Sequence, residues 1–201
     1  LRPTDLVIRR GTFVTVMGPS GSGKSTLLNI IGLLMRPTSG SYRLDGREVS
    51  RLDDDATSAV RCRLIGMVFQ SFNLLSHLTI LENVCVPMQY AGLSRGAMRQ
   101  RGRDLLDQFG LAGRYGSRPT QLSGGQCQRV AIARSLANDP PVILADEHTG
   151  NLDERTGQEV MQIFQGLHAA GKTIIMVTHN PVYRKFATQM VTIHDGRATE
   201  E

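Results

Sequence analysis

Gly18-Pro19-Ser20-Gly21-Ser22-Gly23-Lys24-Ser25-Thr26 fits the pattern G-x-x-x-x-G-K-[ST] at every fixed position. The flanks agree with it. Phe13-Val-Thr-Val-Met17 reads as a β-branched, apolar strand, and Leu27-Leu-Asn-Ile-Ile-Gly-Leu-Leu-Met35 as an apolar helix. Strand, glycine loop and helix in that order make a phosphate cradle. The glycines let backbone N–H groups turn inward, and the helix start adds partial positive charge. Lys24 has the reach for β- and γ-phosphates, and the Ser25 hydroxyl suits Mg²⁺. A dinucleotide fingerprint is excluded, because Thr26 stands where its third glycine would be.

With 201 residues and 40% hydrophobic content, the chain suits one domain, or one domain with an inserted lobe. No apolar run approaches the roughly 18 residues of a membrane span, so at a membrane another chain would supply the span. The start carries no signal-peptide pattern, and Leu1 in place of methionine points to a start inside a longer protein. Lys and Arg number 23 against 18 Asp and Glu, a net charge of +5 without a long basic block, which gives no argument for nucleic acid. Cys62, Cys85 and Cys127 are too widely spaced for a zinc or redox motif and read as free thiols. The five histidines show no metal-ligand spacing.

Working outward, Asp5–Ile8 and Thr12–Met17 read as a hairpin entering the glycine loop. A short strand at Ser41–Leu44 is closed by Asp45-Gly46, and a helix follows over Asp53–Arg63. Leu64–Phe69 is a strand with Gln70 at its end. From Ser71 to Gln121 no strand is expected, only helices near Thr79–Tyr90, kinked or ended by Pro87, and Ser94–Phe109. A helix from Leu122 to about Asn138 precedes the strand Val142–Ala145, which ends in Asp146-Glu147. A helix over Glu154–Ala170, a strand over Thr173–Thr178 ending in His179, a short helix and a last strand, Met190–His194, complete the chain. Strands alternating with helices predict a parallel sheet with right-handed crossovers, into which residues 71–121 insert a helical lobe.

In such a sheet, ligands bind where strands end. The glycine loop, Gln70, Asp146-Glu147 and His179 all follow apolar strands and are expected to converge. Asp146 is the metal-side carboxylate, and Glu147 the group that orients or deprotonates the attacking water. His179 is placed to donate to a γ-phosphate, and Gln70 to sense Mg²⁺ or the water. Leu122-Ser123-Gly124-Gly125-Gln126 is a second anion-binding helix start, which calls for a second nucleotide or one shared between two subunits.

The whole chain resembles the nucleotide-binding domain of an ATP-binding-cassette (ABC) transporter, with its motifs in family order. Gly18–Thr26 resembles the Walker A loop, Gln70 the Q-loop glutamine and Leu122–Gln126 the ABC signature, the most family-specific motif present. Val142–Glu147 resembles Walker B with its catalytic glutamate, Gly150–Asp153 the D-loop and His179 the switch histidine. The resemblance implies an α/β P-loop NTPase fold: a RecA-like core over 1–70 and 122–201 with a mostly parallel sheet, an N-terminal antiparallel β subdomain, and an α-helical subdomain near 71–121. It also implies ATP and Mg²⁺ as cofactors, Ser25, Gln70 and Asp146 around the metal, and Glu147, His179, Lys24 and Gln70 in catalysis. Two such domains sandwich two ATP, so Ser123, Gly125, Gln126 and Asp153 would meet nucleotide in a homodimer that drives an integral membrane permease from the cytoplasmic face of the inner membrane. The stretches around Gly18–Gly32, Pro37–Gly40 and Leu144–Asp153 resemble the macrolide-export and lipoprotein-release group. His148 replaces the usual proline after the catalytic glutamate, Cys127 replaces a polar residue, and the adenine-stacking aromatic would lie upstream of Leu1. The alternatives are a soluble regulatory, cell-division-like or nucleic-acid-associated ABC protein, and a small-molecule kinase; the single cassette argues against the first and Leu122–Gln126 against the second.

Overall fold

The structure is a computed structural model that describes residues 1–146 and 154–200. In chain order it contains β1 (Phe13–Met17), α1 (Lys24–Ile31), β2 (Arg43–Leu44), β3 (Arg47–Glu48), α2 (Asp54–Leu64), β4 (Ile65–Val68), α3 (Ile80–Tyr90), α4 (Arg95–Gln108), α5 (Gly124–Ser135), β5 (Val142–Asp146), α6 (Glu154–Ala169), β6 (Thr173–Val177), β7 (Gln189–His194) and β8 (Arg197–Glu200). The main sheet has the order β4-β5-β6-β1-β7-β8, parallel throughout except for β8 at one edge.

The strand sequences are apolar because both faces of the sheet are covered. Alternation along each strand sorts residues between two cores. Phe13, Ile143, Ala145, Ile174 and Met176 face a core shared with α3, α4, α5 and α6. Val14, Val16, Leu144, Ile175 and Val177 face the other, built with Leu27, Leu28 and Ile31 of α1. Helices α2, α3 and α4 start on side-chain caps. Asp53 accepts from Ala56 N at 2.7 Å, Ser94 caps α4, and Thr79 with Glu82 forms a capping box at α3.

The expected hairpin of residues 5–8 with β1 does not form. Both edges of β1 are taken, by β6 on one side and β7 on the other, each in parallel. Residues 5–8 instead run as extended chain without ladder pairing, with Leu6 and Ile8 against the α1-side core and the Val7 carbonyl accepting from Gln189 Nε2 at 2.8 Å. Among the described residues, the antiparallel element on the N-terminal side is the β2–β3 ribbon, turned at Asp45 and Gly46, both at positive φ (52° and 76°). Tyr42 anchors it by donating its hydroxyl to the Ile31 carbonyl at the end of α1. The chain also does not finish at His194: Asp195-Gly196, with φ of 48° and 77°, turns it into the edge strand β8. Nor does Pro87 end α3, which continues to Tyr90.

Residues 71–121 hold α3, α4 and a 3-10 turn at Pro119–Gln121, with no strand. Asn138, beyond α5, ties this segment to the core: its Nδ2 donates to the Cys62 carbonyl at 3.0 Å and the Pro87 carbonyl at 3.1 Å. No helix among the described residues is long and apolar enough to cross a membrane. Cys62, Cys85 and Cys127 are free, as read from their spacing.

One packing contact sets how close α5 lies to the sheet. A Cβ on Gly66 of β4 would stand 2.3 Å from the Ser135 carbonyl and 2.8 Å from Ile143 Cδ1. Because the first obstacle is backbone, Gly66→Ala is expected to cost about 1–3 kcal/mol of unfolding free energy, measured by urea denaturation.

Candidate nucleotide site

The loop after β1 starts with a close backbone approach. A Cβ on Gly18 (φ +149°) would lie 2.1 Å from the Ile193 carbonyl of β7, so only glycine lets the loop leave the sheet here. Pro19, Ser20 and Gly21 form an exposed tip, and Ser22 N–H closes it on the Pro19 carbonyl at 3.2 Å. Gly23, at φ 109°, is the N-cap of α1 and offers no capping side chain, and the first turn of α1 has no acidic residue. The N–H groups of Lys24, Ser25 and Thr26 therefore remain at an uncapped, partly positive helix start.

Lys24 is 8% exposed, and its side chain arcs back over the loop. Its Nζ donates to the Gly18 carbonyl at 2.9 Å and the Pro19 carbonyl at 2.8 Å. An ammonium has three donors, so one is left for an incoming oxygen. The buried Ser22 Oγ has no partner among the described residues. An uncapped helix start, a spare ammonium proton and an orphaned hydroxyl together fit a phosphate chain.

Strand register brings the other candidates to the same edge. Val68 is level with Ala145, Asp146 with Val177, and Val177 with Val16. Gln70 lies two residues past Val68, His179 two past Val177 and Gly18 two past Val16, so these three and Asp146 line the C-terminal edge of β4, β5, β6 and β1. Four neighbouring strand ends span roughly 14 Å at the usual spacing. Gln70 and His179 are exposed there, Ser25 is exposed at the start of α1, and Asp146 is half-buried. The expected Glu147, His148 and Asp153 lie outside the described residues.

Ser123, Gly125 and Gln126 are not strand-end groups; they open α5, immediately after the helical segment 71–121. Gln126 N–H donates to Ser123 Oγ at 3.3 Å and Ser123 N–H to Gln126 Oε1 at 3.0 Å, a capping box. That box uses the N–H at the third helical position and leaves those of Gly124 and Gly125 at the open end. Gly125 packs against α6, where a Cβ would meet Thr156 Cγ2 at 2.6 Å. Cys127, next in line, is buried, and burial pushes its thiol pKa up.

Two further polar side chains organise the loop that follows Gln70, and the sequence reading passed over both. Phe72 and Asn73 have left-handed backbones, φ 60° and 49°. Such conformations cost about 1–3 kcal/mol each and persist only when surroundings hold them. Arg134 of α5 reaches them, Nη2 donating to the Phe72 carbonyl at 2.8 Å and Nη1 to the Asn73 carbonyl at 2.5 Å. Asn83, fully buried in α3, accepts from Leu75 N–H at 2.8 Å and donates to the carbonyls of Leu75 and Thr79, each at 3.0 Å. A signal existed for each: one arginine inside Val130–Ala137, and one asparagine inside a mostly apolar helix, are polar groups that burial forces into partnership.

Residues 1–150 match the family described as ABC transporter. The chain belongs to the ABC transporter family. Among relatives of this cassette, the macrolide export ATP-binding/permease protein MacB 1/2 of Paracoccus denitrificans is 56% identical over 197 residues, covering 98% of this chain and 30% of that protein. An ABC transporter ATP-binding protein of Thermotoga maritima is 54% identical, over 98% of this chain and 84% of that one. The chain thus spans about three tenths of the length of the MacB relative. Among solved structures, the dimeric ATP-binding cassette MJ0796 in a post-hydrolysis state with ADP and phosphate superposes with a TM-score of 0.91 at 45% identity, covering all of this chain and 89% of that one. The cassette is an ATP-binding, ATP-hydrolysing domain of the P-loop NTPase fold.

Gly18→Ala is expected to lose nucleotide affinity without unfolding the core. A backbone strain of about 1–3 kcal/mol placed on the cradle corresponds to a roughly 5- to 150-fold rise in Kd, measured by fluorescent-nucleotide titration.

Proposed function

We propose that this cassette powers a membrane-embedded export or lipoprotein-release partner through ATP-dependent closure of a homodimer at the cytoplasmic face of the cell membrane. The observation that carries the reading is the separation of two anion-ready helix starts. One, at α1, belongs to the strand-end row; the other, at α5, opens from a different part of the fold. A second copy, facing the first, would bring Ser123, Gly125 and Gln126 of one subunit onto the γ-phosphate held by Lys24 of the other, with Asp153 near the same interface.

Within one site, Lys24 and the N–H groups of residues 18–26 hold the phosphates. Ser25, Gln70 and Asp146 present only oxygen donors, which suits Mg²⁺. Held by Ser25, Gln70 and Asp146, Mg²⁺ would neutralise charge on the terminal phosphates. Glu147 orients and deprotonates the attacking water, and His179 donates to the γ-phosphate. The relatives named above include an ATP-binding/permease protein, which supports a membrane partner. On the helical segment, Leu74 packs into the core while Leu75 is 40% exposed, so the docking surface reduces to Leu75 and its half-buried neighbours Phe72 and Leu78.

Glu147→Gln is expected to bind ATP, to hydrolyse it at under about 1% of the normal rate, and to dimerise only with nucleotide, read by light scattering. Adding Ser123→Arg should restore the monomer by burying an unmatched cation at the interface. A monomer at saturating Mg·ATP in Glu147→Gln alone would remove the sandwich. Leu75→Asp should retain nucleotide-dependent dimerisation yet lose coupling of ATPase to the membrane partner, measured as transport in proteoliposomes.

A further inference from the structure

We propose that Arg134 is a positioning residue for ATP hydrolysis: it holds the loop after Gln70 in its left-handed form and fastens that loop to the helix whose opposite end carries Ser123. The inference rests on Gln70 acting at the nucleotide, as read above.

The geometry is specific. Phe72 is a bulky residue in a backbone region that favours glycine and asparagine, and Asn73 follows it in the same region. Two successive left-handed residues bring the carbonyls of Phe72 and Asn73 within reach of one guanidinium. The planar fork of arginine matches that pair; a lysine ammonium, a single point charge, does not. Arg134 is itself half-buried in the last turn of α5, where desolvation pulls its pKa below the usual arginine value, and both its terminal nitrogens donate to these carbonyls.

The rest of the loop is fixed from the other side. Asn83 of α3 binds the backbone of Leu75 and Thr79. The stretch 72–79 is thereby bound to α5 at one end and α3 at the other. Between it and β4 lie only Phe69, Gln70 and Ser71, with Gln70 exposed at the nucleotide edge. A displacement of Gln70 on binding or losing γ-phosphate passes along a short backbone to the Phe72 and Asn73 carbonyls. Arg134 then transmits it to α5, and α5 is the helix that Ser123 caps.

The test is a double-mutant cycle on the purified protein with Arg134→Met, Arg134→Lys and Gln70→Ala, recording kcat, ATP Kd and thermal melting. Arg134→Met is expected to lower kcat about 10-fold with Kd for ATP within about 2-fold, and Arg134→Lys, which keeps charge but not the fork, to recover little of it. The double variant Arg134→Met with Gln70→Ala should turn over no slower than Gln70→Ala alone, because both remove the same link. A role in packing alone would lower the melting temperature, and the two kcat effects would multiply; that result overturns the inference and leaves Gln70 as the nucleotide sensor. If Gln70→Ala alone leaves kcat unchanged, the sensor reading fails and takes this inference with it. Should Arg134→Met not fold, Arg134→Lys runs the same cycle with the same two outcomes.

Discussion

The chain depends on a register. Val16, Val177 and Asp146 stand side by side, and Val68 sits one step behind beside Ala145. That alignment is enforced by burial, since a one-residue slip would send Val14 and Val16 into the core that Phe13 occupies and turn Ile174 and Met176 the other way. A sheet covered on both faces by apolar side chains has no tolerance for such a slip. The cost of misregister in the core thus fixes the positions of Gly18, Gln70, Asp146 and His179, none of which is itself a core residue. Functional precision is inherited from hydrophobic packing.

Much of this was legible because it is written locally. The glycine loop and the apolar runs Val142–Ala145 and Thr173–Val177 each declare their structure within a few residues. What failed was partner choice. Asp5–Ile8 alternates and precedes a turn, so it reads as a strand; only the sheet order shows that β6 and β7 already occupy both edges of β1. The edge strand β8 was signalled by Asp195-Gly196, a dipeptide that supplies two left-handed residues, but its Arg197-Ala-Thr-Glu200 sequence carries no apolar run to draw attention. At the site, strand-end residues were identifiable by position. Arg134 and Asn83 stood out only as polar groups in apolar surroundings; what they bind was not readable, because the partners are backbone carbonyls 62 and 8 residues away, and backbone leaves no trace in a sequence pattern.

The α5 helix collects these constraints. Its start is a capping box with two N–H groups left open, its middle packs on α3 and α6, and its last turn presses the Ser135 carbonyl onto Gly66 while extending Arg134 to the loop. A helix of 12 residues is about 18 Å long and nearly rigid. Moving one end moves the other. The glycine at position 66 matters here because it removes the side chain that would hold α5 off the sheet and lengthen the reach from Arg134 to the loop.

The energies at that loop are closely opposed. Left-handed backbone at Phe72 and Asn73 costs about 1–3 kcal/mol each. Hydrogen bonds from a charged group return about 1.5–3 kcal/mol each, and Arg134 makes two. Burial of the guanidinium takes back part of that gain, as its lowered pKa records. The sum is small in either direction. A deeply stable loop would hold Gln70 in one place whatever the nucleotide, and an unsupported one would leave Gln70 without a position. On the role proposed for Gln70, a near balance between strain and charge-assisted bonding would let a phosphate contact there select the conformation, because the contact need supply only the difference.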